Sequence, residues 1–343
     1  MKFFQLPLIA FLGIVTVAMP VSAQQSKGTA DKGAPGEKAG KADDKGAKGN
    51  AGSPQKGSTS ATGKKGDPQD IKLNTGDWQI QCTYFESTAG KESPVAILLT
   101  SADGPEKKDA RNRRVWQPTA MALQKGGFAV ITVDLRKHGD SVPPDAESAA
   151  KLKSSAADHQ LMASADLEAV KAFLMEEHHA EKLNIRKLAI VSMGSSSMVA
   201  AAFTVADWAK TPYPDAPVDA LKTPRGQDVQ ALVMYSPNAT VKGLNFNTVM
   251  KAIKPLQVST YIVASSANKD DVRNADKVFK AVELKEEQFK EYRKLVLVKE
   301  NLHAEQFLDS KNRDATKEIV DFLNKNVKEL QAPWVERVDR RSK

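Results

Sequence analysis

The chain has 343 residues, 41% hydrophobic and 27% charged, with a formal charge of +8 and one cysteine. A lone cysteine excludes an intramolecular disulfide, so a chain of this length must be held together by its core. The positive charge does not mark a nucleic-acid patch: Gln24 to Asp70 carry nine lysines against six acidic residues, Gln331 to Lys343 carry four basic against two acidic, and only +2 remains on residues 71–330.

Residues 1–23 open with Met-Lys, run apolar from Phe3 to about Pro20 and end in Val21-Ser-Ala23, small residues at the positions a signal peptidase reads. They are expected to be a cleaved export signal, leaving a periplasmic or extracellular protein that does not span the membrane. Residues 24–70 hold ten glycines and no Val, Ile, Leu, Met, Phe, Trp, Tyr or Cys. Such a segment has nothing to bury and is expected to be a disordered Gly/Lys/Ala/Ser-rich linker. Its ends would lie ~35–40 Å apart. The basic linker and the basic tail at 331–343 could favour an anionic envelope surface; a solvated, solubilising tail is the simpler reading.

Asp77 to Glu86 alternates with period two, as a strand does, and places Cys82 as a buried structural thiol. Val95 to Ser101, Phe128 to Asp134, Lys187 to Met193, Ala231 to Ser236, Thr260 to Ser265 and Lys294 to Val298 are continuous apolar runs, the pattern of strands buried on both faces. Helical spacing lies between them, over Trp116 to Lys125, at Leu167, Val170 and Leu174, at Val278, Phe279 and Val282, and at Ile319, Phe322, Leu323 and Leu330. Alternating strands and helices predict an α/β domain over 71–330, with a mostly parallel central sheet, helices on both faces and right-handed crossovers. Sites in such sheets form beyond the carboxyl ends of the strands. No His/Cys/Asp/Glu cluster has metal-ligand spacing and no phosphate loop follows a strand, so neither metal nor cofactor is implied.

Three segments together resemble the α/β-hydrolase fold family. Asp134-Leu-Arg-Lys-His-Gly-Asp-Ser141 is similar to the family's Asp-x-Arg-x-x-Gly-x-Ser turn, Lys187 to Ala200 to its strand, elbow and helix, and His303 lies after the last strand, where the family carries its catalytic histidine. The resemblance implies an elbow reading small-x-nucleophile-x-small. Aligned without gaps, it gives Ser192, Met193, Gly194, Ser195 and Ser196, with Gly194 at the apex. Glycine adopts the strained apex conformation without cost but cannot attack a carbonyl. Frames shifted by one or two residues would make Ser195 or Ser196 the nucleophile; otherwise Ser195 to Ser197 are helix-start residues that cap N–H groups.

By the same resemblance His303 is the base, His138 a structural turn residue, and the acid falls in Ser266-Ala-Asn-Lys-Asp-Asp271, where spacing favours Asn268, with Asp270 as the carboxylate alternative. The oxyanion site would use the N–H of Ser195 and one from Ser101 or Ala102. His178 and His179, at a helix end among charges, read as solvated. Two functions follow. One is a non-catalytic exported protein, a pseudoenzyme that keeps the fold to bind a small molecule or an envelope partner. The other is a serine hydrolase of ester or acyl type with Ser196 or Ser195, His303 and Asp270 or Asn268.

Overall fold

A computed structural model describes residues 66–102, 112–142, 152–286 and 289–342 of the chain. The expected export signal and all but the last few residues of the expected linker lie outside the described residues. Eight strands form one sheet: β1 (Gln69–Asn74), β2 (Gln79–Phe85), β3 (Val95–Leu99), β4 (Ala129–Asp134), β5 (Leu188–Met193), β6 (Val229–Tyr235), β7 (Ser259–Ser265) and β8 (Arg293–Val298). Their order across the sheet is β1-β2-β4-β3-β5-β6-β7-β8. The pairs β1/β2 and β2/β4 are antiparallel and the other five are parallel. The order reverses at β3, so the crevice above its carboxyl end, beside that of β5, is where such a sheet places a ligand.

The sheet begins inside the range expected for the linker. Gln69 and Asp70 already belong to β1, where Ile71 pairs with Cys82 and Asp70 accepts a hydrogen bond from Thr83 at 2.6 Å. Only one residue of β1 is buried, Ile71, which is why a hydrophobicity pattern does not reveal this edge strand.

The continuous apolar runs bury both faces except in β8, an edge strand where Lys294 to Val296 are half-buried and Leu297 is exposed, which corrects the expectation for that run. Along β3, Val95, Ile97 and Leu99 join one core while Ala96 and Leu98 join the other, as the period of two requires. The helices α1 (Gln117–Lys125) and α7 (Ala315–Leu323) cover one face through Ala120, Leu123, Ile319 and Phe322. Against the other face lie α3 (Leu167–His179), α4 (Ser196–Trp208), α5 (Phe246–Ile253) and α6 (Lys269–Val282), through Leu174, Val199, Phe203, Met250 and Val278. A short helix α2 (Ala156–Leu161) leads into α3 through a π turn at Met162–Asp166. That extra residue in the turn delivers Asp166, fully buried, onto Arg136, whose backbone N–H and Nε donate to it at 2.9 and 3.0 Å. Among the described residues no helix is long and apolar enough to cross a membrane.

The segment after α7 is not a solvated tail. Trp334 donates its indole N–H to the carbonyl of His178 at 3.2 Å, and Arg337, 4% exposed, reaches Asp228 at the start of β6. His178 is likewise fully buried, with its ring nitrogens 3.1 and 2.9 Å from the carbonyls of Leu183 and Val335. The expectation that His178 is solvated is thereby corrected: charged neighbours in sequence do not expose a residue whose helix end is covered by another part of the chain. Arg340 and Arg341 pair with Asp215 and Asp339, so three of the four basic residues of this segment are engaged within the chain.

Candidate functional site

Five chain segments meet above the carboxyl ends of β3, β5, β6, β7 and β8. The first is the step from β5 into α4. Gly194 occupies it with φ +55°, the left-handed region that favours glycine, while Ser195 after it is already helical at φ −73°. The apex conformation therefore falls on Gly194, with Met193 ending the strand and Ser196 beginning the helix. Backbone bonds hold the turn: Gly194 donates to the carbonyl of Tyr235 at 3.0 Å and accepts from Asn238 at 3.1 Å.

The serines around the apex point into structure. Ser196, fully buried, donates its hydroxyl to the carbonyl of Met193 at 2.8 Å and accepts that residue's N–H at 3.1 Å. A frame that uses Ser196 as nucleophile is corrected by this geometry, because its hydroxyl is folded back on the strand end. Ser192 donates to the carbonyl of Val233 at 3.1 Å, and its hydroxyl lies 3.3 Å from that of Ser197. Ser195 is 3% exposed.

After β8 the chain places His303, half exposed, beside Asp271 near the start of α6. Nδ1 of the imidazole lies 2.9 Å from Oδ1 of the carboxylate, which is only 5% exposed. An imidazole that donates Nδ1–H to this carboxylate presents Nε2 as its basic nitrogen. Asp271 is itself held, since Ser236 at the end of β6 donates its hydroxyl to Oδ2 at 2.8 Å, and that hydroxyl accepts the N–H of Ala304 at 3.1 Å. Ser236 and Ala304 both sit at positive φ, +44° and +47°, a strained backbone for non-glycine residues. One hydrogen-bonded chain thus runs from the apex to the imidazole: Gly194 to Tyr235, its neighbour Ser236, then Asp271 and His303.

Neither acid position read from the sequence, Asn268 or Asp270, is the residue that the structure places on the imidazole. Asn268 is the N-cap of α6, accepting the N–H groups of Asp270 and Asp271 at 3.0 and 3.2 Å, and Asp270 pairs outward with Arg273 at 2.9 Å. Asp271 was legible in principle. It lies on one helical face with Ala275, Val278 and Val282, all buried, whereas Asp270 falls on the outer face. A carboxylate on the apolar face of a helix is more telling than its distance from the preceding strand. Ser236 and its role in holding Asp271 carried no local signal.

At the end of β3, Ser101 and Ala102 are buried, and the backbone N–H of Ser101 donates to Oε1 of Glu305 at 2.7 Å. The Asp134 turn acts as a structural lock beside the site. Asp134 accepts the N–H of Arg113 at 2.6 Å, its guanidinium at 2.7 Å and the N–H of Asp140 at 3.0 Å, while Ser141 donates to the Asp134 carbonyl at 2.6 Å. Burial pushes the Asp134 carboxyl above its usual range despite those donors. His138 sits in the same turn, its Nδ1 2.8 Å from the carbonyl of Arg136. Cys82 is fully buried and burial pushes its thiol up, away from reactivity. Among the described residues no group of three His, Cys, Asp or Glu is placed to hold a metal ion.

Neither a family model nor a curated protein sequence matches the chain. Solved structures do. An alpha/beta hydrolase, GrgF, from Penicillium sp. sh18 aligns with a TM-score of 0.53 at 12% identity, covering 76% of this chain and 99% of its own. The acylaminoacyl peptidase of Pyrococcus horikoshii aligns with a TM-score of 0.54 at 10% identity, covering 80% of this chain and 44% of its own. At such identities the likeness speaks for architecture alone. Together with the strand order, the parallel crossovers and the strand-turn-helix at Gly194, it establishes that the chain has the α/β-hydrolase fold.

Proposed function

We propose that this is an exported, non-catalytic protein of the α/β-hydrolase fold that uses the crevice above β3 and β5 to bind a small molecule or a cell-envelope partner. The observation that carries the reading is the +55° φ of Gly194 at the turn where this architecture exposes a nucleophile. Removing the nucleophile of a serine protease lowers turnover by about 10⁶, roughly 8 kcal/mol of transition-state stabilisation. What then remains, backbone donors and binding, gives only about 10³–10⁴ over water. The export signal and the linker would place the domain outside the cytoplasm on a flexible tether, with the linker's lysines available to an anionic envelope surface.

One observation favours a second reading, a serine hydrolase of ester or acyl type with Ser195 as nucleophile. The His303–Asp271 pair at 2.9 Å, supported by Ser236, is the arrangement a general base requires. Steady-state and pre-steady-state hydrolysis of p-nitrophenyl acetate separates the two. The binding reading expects no burst, and a rate for wild type equal to that of Ser195→Ala. A stoichiometric burst that vanishes in Ser195→Ala and in His303→Ala would overturn it.

A further inference from the structure

The carboxylate of Glu305 has no part in either reading, yet it lies on a functional position. It meets the Ser101 N–H at 2.7 Å across 204 residues of sequence, at one of the two backbone donors, Ser101 or Ala102, that the fold resemblance offers to an oxyanion. The length is that of a charge-assisted bond. A carboxylate oxygen and the oxyanion of a tetrahedral adduct are the same kind of acceptor, an anionic oxygen on a small carbon. Nor is Glu305 placed by a loose loop. Ala304 before it is buried, held at φ +47° and tied to Ser236, and Phe307 after it is fully buried in the core.

We propose that this is an anion site that the chain fills with its own side chain: the Ser101 N–H donates to a carboxylate, Glu305 is the built-in occupant, and an external carboxylate binds by displacing it. The inference deepens the ligand-binding reading and rests on it for the location of the site, but it does not depend on which residue occupies the elbow apex. A tethered ligand acts at a high effective concentration, so a free carboxylate binds the native chain weakly until Glu305 moves. The native site is thus self-capped, and the ligand that opens it must offer more than a carboxylate, for example further contacts along the crevice.

The test is amide NMR of the full chain, labelled with ¹⁵N, titrated with sodium acetate against sodium chloride of equal ionic strength. The Ser101 amide of wild type is expected far downfield and insensitive to acetate. In Glu305→Ala it should move upfield, then return saturably with acetate and not with chloride, with an apparent affinity at least about tenfold tighter than in wild type. Glu305→Gln keeps an acceptor without the charge and should respond to acetate between those two. A folded Glu305→Ala whose Ser101 amide ignores acetate, or a wild type that binds acetate equally well, would overturn the proposal. Should Glu305→Ala not fold, Glu305→Gln decides: an acetate response no larger than wild type's sinks it. Because no covalent chemistry is read, the result is separable from the hydrolysis experiment.

Discussion

Removing the guanidinium of Arg337 should destabilise the whole domain, although Arg337 lies in a segment whose composition reads as a solvated tail. Its Nη1 and Nη2 donate to the two oxygens of Asp228 at 2.6 and 3.1 Å, its Nε to the carbonyl of Pro224 at 2.8 Å and its Nη2 to that of Gly226 at 3.0 Å. Asp228 also pairs with Lys171 at 2.7 Å, and Lys171 with Asp207, which accepts the backbone N–H of Asp228 at 2.8 Å. The four side chains are between 0 and 4% exposed, two cations against two carboxylates. Burial alone would lower the Lys171 ammonium, but Asp228 and Asp207 outweigh it and hold it above its ordinary value. Arg337→Met leaves two buried carboxylates sharing one ammonium. Breaking a buried pair on one side costs about 3–5 kcal/mol, which for a domain of this size corresponds to a Tm lower by ~6–20 °C. Urea unfolding followed by circular dichroism measures it directly. The double variant Asp228→Asn/Arg337→Met should recover at least about 1 kcal/mol of the sum of the two single losses, because it removes both charges. A loss below ~1 kcal/mol for Arg337→Met, within the range of a surface ion pair, would refute the claim that this segment is part of the fold.

Acid should loosen the same region. Burial is the main cause holding the His178 imidazole below its ordinary value, with His179 and Arg337 adding to it against the hydrogen bonds to Leu183 and Val335. Its folded pKa lies below the unfolded one, so the unfolded chain binds the extra proton and stability falls as pH drops through about 6.5. Melting curves between about pH 7.5 and pH 5.5 should show a slope that is shallower in His178→Asn; equal slopes would place the titration elsewhere. Gly139→Ala should be among the most damaging small substitutions. Gly139 sits at φ +52° and an added Cβ would lie 2.2 Å from Oδ1 of Asp134, which Arg113 holds in place. Strain and crowding together suggest ~2–6 kcal/mol, and recovery of wild-type stability in this variant would show that the turn is softer than its hydrogen bonds imply.

The architecture was readable because its central strands are uninterrupted apolar runs, a consequence of burial on two faces, and its helices keep the spacing of one buried face. What escaped detection has physical causes. Edge strand β1 buries only Ile71, so periodicity could not separate it from the linker before it. The C-terminal segment is fixed by one buried arginine and one tryptophan, and arginine on a flexible-looking stretch reads as charge rather than as an anchor. In the site, Gly194 and His303 could be placed from the strands that precede them. The carboxylate beside His303 could not, because the step from β7 into α6 turns on which face of the helix an aspartate takes, and Asp270 and Asp271 differ by one residue and 100° of helical rotation. Glu305 and Ser236 act through contacts between segments distant in sequence, and nothing local announces them.

The central claim is that the fold keeps a supported imidazole but has glycine where a nucleophile would stand. Its most direct test is intact-mass detection of a fluorophosphonate adduct on wild type, Gly194→Ser and Gly194→Ser/His303→Ala. The account predicts no adduct on wild type, an adduct on Gly194→Ser, and loss of that adduct when His303 is removed. An adduct on wild type that maps to Ser195 would contradict it, and would make this chain a hydrolase whose elbow is displaced by one residue.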